Sequence, residues 1–590
     1  MKKLLCMLLI LSMGALHATP VYDVKDLTLR EQVGQTIMPR VLIGQQKAFK
    51  EAVIKGEVTG FFIKAKEGLL KHPKITAKNQ EKFIKKQRKK FLKTIADLNK
   101  WASQSRHQIP LLLALDYEGG TVTSPMYMGL EQMPSNMLLA AAGDEKLVAE
   151  VYAAQAREIK LVGANVALGP VADVNSNPQN PIIQTRSFGD RALEVGKWAA
   201  VSVQALQEQG VPAFIKHFPG HGDTASDSHY SQPVTNMPSE QLWQNHFSAF
   251  EPSIPYTDGV LSAHVVYPTV DPNNSASFSS TILKGILRDK MQFRGVIATD
   301  GLDMGAVSES PVEELVLRSY KAGNNMLLLS GDAANVKEAR TYPRRAADYV
   351  EKSTAAVLQG ASAEENVTLE EIRFSAQKIL DLKKKMGLFE ASIDQGKDSG
   401  LKTASQRAAE EGVTLVRDEQ ALIPLQENIQ KVCTVFFADG IFSLQLKSFN
   451  EYLLSKGKEV STVFAQRTPT DKNEQEIHAC MAGAEAVVLG TSRTSAMDKQ
   501  QFELVTSLLE KADKKGQKVL LISLLNPYEI PLYPAAKTVL ALYGATQPAM
   551  ETAARIFLGE AQAKGQLPVR LTNSEIVFTE KPKDGLLRQP

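Results

Sequence analysis

Residues 214–229, FIKHFPGHGDTASDSH, bring three of the chain's nine histidines together with two glycines, a lysine and two aspartates. They continue the apolar run that begins at 211, and a buried strand that breaks into Gly, His and Asp ends in a loop that presents side chains to a ligand. Two chemistries fit these residue types. His217, His221, Asp223, Asp227 and His229 are all possible ligands for zinc or a similar ion, although their spacing matches no compact helical pair such as H-E-x-x-H. Alternatively, Asp227 and His229 form a proton-transfer dyad. In a turn the carboxylate accepts from one ring nitrogen while the other nitrogen faces a substrate, which fixes the tautomer and suits a group that gives up a proton and later recovers it. A loop that is merely polar, with histidines bonding backbone, is the plainest reading. Asp116, Lys216 with His217, His264 and Asp300 each stand where an apolar run ends. One such residue alone is explained as a helix N-cap; their recurrence at the same end of successive runs points to a shared site.

The elements that must position them read as alternating short apolar runs and amphipathic stretches from Leu27 to about Leu388. The runs include 58–63, 109–116, 163–170, 211–217, 259–265, 295–300 and 325–330, with helical patterns such as 145–160 and 191–209 between them. Continuous rather than alternating apolar strands indicate a parallel sheet covered on both faces, and this number of units predicts a (β/α)₈ barrel over 19–388, with reactive groups at the C-terminal ends of the strands. Residues 389–405 are polar and glycine-containing and read as a linker. Beyond them, over 406–590, five apolar runs alternate with helical segments such as 499–515 and 548–558, which predicts a smaller α/β sandwich domain. No G-x-G-x-x-G or P-loop pattern opens these helices, so no nucleotide and no other cofactor is expected.

At 590 residues, 43% hydrophobic and 23% charged, the chain has the balance of a globular protein of two domains. Its first 18 residues carry Lys2 and Lys3, an apolar core from Leu4 to Leu16 and a small residue at Ala18, the pattern of a bacterial signal peptide, so export to the periplasm or medium is expected. No later stretch is apolar enough to span a membrane. Export would leave Cys433 and Cys480, which either form a disulfide or remain two buried thiols. The net charge of +3 is unevenly spread: residues 64–93 hold twelve Lys or Arg against two Glu, a local +10, leaving 3 − 10 = −7 for the rest. Ile84, Phe91, Ile95 and Leu98 recur there at helical spacing, predicting an amphipathic helix with a solvated basic face. No aromatic platform accompanies the charges, so nucleic acid is not an expected partner. Contact with an anionic envelope polymer is a secondary reading. Oligomeric state is not legible.

The stretch K-H-F-P-G-H-G-x-T-x-x-D-S-H resembles the signature of glycoside hydrolase family 3, in its β-N-acetylglucosaminidase branch. The resemblance extends through 33–40, 115–120, 165–190, 259–268 and 295–307 in the first domain and through 412–425, 526–531 and 565–569 in the second. It implies Asp300 as the nucleophile, His229 as general acid/base with Asp227 orienting it, and Asp116, Arg186, Lys216 and His217 as the residues that hold the sugar. The bottom-up reading agrees for Asp300, since a carboxylate ending a buried strand is held as rigidly as attack on an anomeric carbon requires. The chain departs from the family's D-Q-E-G-G-R-V-x-R at Thr121 and Ser124, which supply no long cationic donor.

What the resemblance implies is a retaining exo-β-N-acetylhexosaminidase that removes terminal N-acetylglucosamine from peptidoglycan fragments or chitin-like oligosaccharides by two displacements, without metal or cofactor. A neutral imidazole does not repel an incoming anion, so phosphate can stand in for water as acceptor, with hydrolysis the expected outcome. Another family 3 activity, β-glucosidase or β-xylosidase, is the nearest alternative. A carbohydrate-binding wall protein with impaired catalysis is the alternative from another class.

Overall fold

A computed structural model describes residues 23–65, 79–119, 125–329, 336–363, 367–390, 398–437, 443–492 and 499–571. The signal-like stretch and the departures at Thr121 and Ser124 lie outside the described residues. Beside a two-stranded antiparallel hairpin over 266–267 and 271–275, eight short strands build a ring in the first half: β1 (Ile37–Leu42), β2 (Gly60–Lys64), β3 (Leu112–Leu115), β4 (Val166–Ala167), β5 (Phe214–Phe218), β6 (Gly259–Ser262), β7 (Val296–Thr299) and β8 (Leu327–Leu329). One sheet runs β8-β1-β2-β3-β4 and another β5-β6-β7. Parallel bridges Ala167↔Ala213 and Ala298↔Met326 join them at both seams. All pairings are parallel, and the ring closes as a (β/α)₈ barrel.

The apolar runs become strands because both of their faces are buried. Met38, Phe62, Ala114, Phe214, Leu261 and Leu328 fill the interior of the ring, so the barrel is a packed core and not a pore. The alternate residues, among them Ile37, Phe61, Leu113, Ile215, Val260 and Ile297, pack under the surrounding helices. The helical stretches expected over 145–160 and 191–209 are found as Glu145–Leu161 and Ala192–Glu208. Ile84, Phe91, Ile95 and Leu98 form the buried stripe of the helix Gln80–Ala102. Beneath the barrel, the helix Leu369–Lys385 inserts Ile379 and Leu382 into the interior cluster. Its Lys383 amine, fully buried, donates to Gln35 Oε1 at 2.8 Å and to the Thr59 carbonyl at 3.0 Å, and burial pushes it down to about 7.

The second half is an α/β sandwich around a six-stranded sheet: β9 (Thr414–Asp418), β10 (Lys431–Phe437), β11 (Glu459–Ala465), β12 (Ala486–Thr491), β13 (Lys518–Ser523) and β14 (Thr538–Ala541), in the order β9-β14-β13-β12-β10-β11. Only β9 runs antiparallel to its neighbour. Strand β11 is the element that a search for continuous apolar runs misses. It lies at the sheet's edge and alternates exposed and buried residues, so no such run marks it. Cys433 on β10 and Cys480 on the helix Asp471–Ala482 form a disulfide.

The end of the expected linker requires correction. Residues 391–397 lie outside the described residues, but 401–405 already belong to the helix Leu401–Gly412. Polar composition concealed a helical stripe, Leu401, Ala404 and Ala408, which packs into the barrel's outer core. Among the described residues, no helix is long and apolar enough to cross a membrane.

Candidate active site

At the C-terminal end of the barrel, a recess of about 590 Å³, counting its open mouth, is lined by Asp116, Arg186, Lys216, His217, His229 and Asp300 together with Lys64, His221, Ser228 and apolar residues from Phe62 to Leu328. Each strand delivers its residue where the backbone leaves the sheet: Asp116 follows β3, Lys216 and His217 sit in β5, and Asp300 follows β7. In a regular strand, consecutive side chains point to opposite faces. The register of β5 against β6 shifts between Lys216 and Phe218, and this irregularity lets Lys216 and His217 line the same recess.

The floor of the recess is an ion network. Lys216 Nζ lies 2.6 Å from Asp116 Oδ1 and 3.0 Å from Glu118 Oε1. Arg186 grips the same Glu118 in a fork, Nε to Oε2 at 3.0 Å and Nη2 to Oε1 at 3.1 Å. Burial alone would push the Glu118 carboxyl up; Arg186 and Lys216 outweigh it and hold the group well below the usual carboxylate range. Burial also works against both cations, yet the neighbouring carboxylates keep Arg186 and Lys216 above their ordinary values, so both are charged. Such fixed charges form strong directional hydrogen bonds to hydroxyls.

Asp173, fully buried, organises the next layer. It accepts from the His217 ring at 2.7 Å, from the His217 amide at 3.2 Å and from the His221 amide at 2.6 Å. With Nδ1 so engaged, His217 turns Nε2 toward the recess. His221 meets Thr224 Oγ1 at 2.9 Å through Nδ1 and Ser228 Oγ at 3.1 Å through Nε2. Burial and the adjacent His217 bring it down to about 4, so the ring is neutral.

The loop after β5 presents the dyad. Asp227 Oδ1 accepts from His229 Nδ1 at 2.7 Å and from the His229 amide at 2.9 Å. Although burial raises the Asp227 carboxyl, the His229 contacts bring it below its ordinary value. Asp300 lines the same recess from β7. Burial pushes its carboxyl up, but His217, His264, the Gly301 amide at 2.8 Å and His229 together bring it down to about 2, so it is an anion. His264 itself is buried between Ser277 Oγ at 2.6 Å and the Gly301 carbonyl at 2.9 Å, so it props the Asp300 turn and does not reach the cavity.

All seven site residues expected from the sequence thus line or adjoin one recess. The loop's histidines instead separate, each to its own partner, and no group of three or more His, Cys, Asp or Glu is arranged to hold a metal ion among the described residues. Sequence reasoning missed Glu118 and Asp173. Glu118 sits inside LDYEGG and Asp173 ends the run GANVALGPVAD, so the same signal that singled out Asp116, a carboxylate where an apolar run stops, was available for both. None of the recess's described lining residues comes from the second half. That half braces the site from behind: Tyr528 Oη donates to the Asn175 carbonyl at 3.2 Å, Arg570 pairs with Asp190 at 2.9 Å, and Ser135 donates to the Tyr543 carbonyl at 2.7 Å.

Comparison with known proteins places the chain beside glycoside hydrolases. The profile of the glycosyl hydrolase family 3 N-terminal domain matches residues 28–379. The chain is 28% identical over 528 residues to a protein named beta-hexosaminidase A from Pseudoalteromonas piscicida, covering 80% of this chain and 85% of that one. It is 35% identical over 282 residues to a beta-hexosaminidase of Shewanella frigidimarina, covering 46% of this chain and 81% of the relative. A family 3 beta-N-acetylglucosaminidase structure from Paenibacillus sp. superposes with a TM-score of 0.77 at 27% identity, over 93% of this chain and 100% of the other.

Proposed function

The chain belongs to glycosyl hydrolase family 3, and on that premise we propose that it is a retaining, exo-acting β-N-acetylhexosaminidase that releases terminal N-acetylglucosamine. The observation that carries this reading is the pairing of an Asp227–His229 dyad with the anionic Asp300 across one recess. Asp300 attacks the anomeric carbon while protonated His229 gives its Nε2 proton to the departing oxygen. In the second displacement neutral His229 takes a proton from water, which attacks the anomeric carbon and frees Asp300. Asp227 holds the tautomer and the ring orientation throughout, as a carboxylate behind an imidazole does.

Asp116, Lys216, Arg186 and His217 bracket the hydroxyls of the terminal sugar. A recess floored by this charged network suits a chain end and so supports exo action. The signal-like first 18 residues and the Cys433–Cys480 disulfide support work outside the cytoplasm, on peptidoglycan fragments or chitin-like oligosaccharides.

The test is release of 4-nitrophenol from its β-N-acetylglucosaminide, with the β-glucoside and β-xyloside as controls, followed by trapping with a fluorinated mechanism-based sugar and peptide mapping. The expected label is on Asp300. Preference for the glucoside, or a label elsewhere, overturns the reading.

A further inference from the structure

The helix Gln80–Ala102 carries a charge pattern that its own packing does not use. Its inner stripe is apolar and buried; its outer face presents Lys82, Lys85, Lys86, Lys89, Lys90 and Lys93, all exposed. Residues three and four apart are neighbours on a helix, and like charges at that spacing repel. Acidic partners are few: Glu81 takes Lys85 at 2.6 Å and Asp97 reaches Lys93 at 3.5 Å. Lys82, Lys86, Lys89 and Lys90 form no ion pair among the described residues. A merely solvated face interleaves signs, so this run destabilises the helix without compensation among the described residues.

Its position links it to the recess. Further down the helix, Thr94 and Asp97 bond Gly44 and Gln46, in the loop that leaves β1 at its C-terminal end. The turns before them, which bear the cations, therefore stand at the rim where the recess opens. There Phe83 packs edge-on against Tyr127, 5.5 Å between centroids, in the short helix that follows the segment carrying Asp116 and Glu118. The same strand-and-helix unit supplies Lys64, which lines the recess with its amine 5.3 Å from the Phe62 ring.

We infer that this face is a docking surface for a carboxylate-bearing glycan chain, whose N-acetylglucosamine end it delivers to the recess. The inference rests on the hexosaminidase reading and narrows its substrate class to anionic saccharides in preference to neutral ones. The basic segment stands against −7 for the rest of the chain, so a polyanion is drawn to this rim and repelled elsewhere. A membrane surface fits less well, because insertion needs apolar residues beside the cations, and none of the exposed large hydrophobic residues belongs to this helix.

The experiment compares the wild type with Lys82→Glu/Lys86→Glu/Lys89→Glu on three substrates: 4-nitrophenyl β-N-acetylglucosaminide, a neutral chitin oligosaccharide, and an N-acetylglucosamine-terminated hyaluronan fragment. The expected result is a loss of about fivefold or more in kcat/KM on the hyaluronan fragment alone, with the wild-type value on that substrate falling as salt is added. Equal losses on all three, or none on the acidic one, overturn the inference. So does loss of pelleting with anionic phosphatidylglycerol vesicles while hyaluronan turnover is unchanged. Titration of both proteins with hyaluronan oligosaccharides reads the surface without turnover. Salt-sensitive binding that weakens in the variant supports the inference even if the hexosaminidase reading fails, and equal binding by the two counts against it.

Discussion

The carbonyl oxygen of His229 accepts a hydrogen bond from the amide of Gly305 at 3.1 Å, which ties the loop bearing the dyad to the turn that follows Asp300. The Ala306 amide does the same for the Ser228 carbonyl at 3.0 Å. The closeness depends on glycine: a Cβ at 305 would sit 2.5 Å from the His229 oxygen and 2.8 Å from the Tyr230 Cα. Gly305→Ala should therefore lift the dyad away from Asp300 without unfolding the barrel. The expected outcome is a fall in kcat/KM of roughly 100-fold on an unactivated disaccharide, since misplacing a reacting group by ~1 Å costs about that much. Circular dichroism should be unchanged.

His229→Ala should slow substrates with poor leaving groups far more than activated ones, because only the former need the proton. The loss expected on a natural disaccharide is about 10²- to 10⁴-fold, with a much smaller loss on a dinitrophenyl glycoside. Equal losses on both in steady-state kinetics would count against an acid role. Asp227→Asn should reproduce the pattern in milder form, since the ring remains but its orientation is no longer fixed.

How much of this was legible beforehand follows from where each residue's partners lie. Asp116, Asp300 and the Lys216–His217 pair announce themselves because each stands where an apolar run stops, and His229 because it follows Asp227 by two residues in a loop dense in His and Asp; these are local signals, and seven of the eight strands are marked by such runs. β1 is marked only by the family resemblance at 33–40, because its run is broken by Pro39 and Arg40. Glu118 is two residues past Asp116, but its importance arises from Arg186 and Lys216, 68 and 98 residues away, which only closure of the ring brings to it. Asp173 is hidden in the same way, behind His217 and His221. The first turn of helix Leu401–Gly412, residues 401–405, reads as linker because its stripe is made of leucine and alanine among polar residues, and its burial comes from the barrel helices it packs on.

The pH dependence of kcat/KM should have no acidic limb due to Asp300. That carboxyl is brought down to about 2, so it is ionised at every pH above about 3, and any loss of activity between pH 4 and 7 must come from another group. Asp300→Asn should abolish turnover at all pH values, and a kcat/KM profile of the wild type checks the first statement.

Stability should fall as the solution is acidified through the range set by His221. Its folded value, about 4, lies below the ordinary 6.5, so the native state favours the neutral ring. The contribution is complete above pH 6.5 and is lost as pH falls toward 4, on the order of 3 kcal/mol in all. Thermal unfolding of His221→Gln, which cannot titrate, should be less sensitive to pH over that window than the wild type.

Reduction of the Cys433–Cys480 disulfide, which closes a separation of 47 residues, should destabilise the second half by about 2–4 kcal/mol. The recess draws none of its described lining residues from that half, so activity at moderate temperature should persist after reduction while the melting temperature falls. Differential scanning calorimetry with and without reductant, beside an activity assay, measures both.

Because one carboxylate, Glu118, contacts both Arg186 and Lys216, the floor of the recess is a keystone arrangement in which two arms lean on a shared block. The two cations cannot be tuned independently: a change at Glu118 frees the Arg186 fork and leaves Lys216 held by Asp116 alone, and a change at either cation alters the charge felt by the other. Specificity on this scaffold should therefore diversify at the rim and in the loops, where residues vary one at a time, and not on the floor.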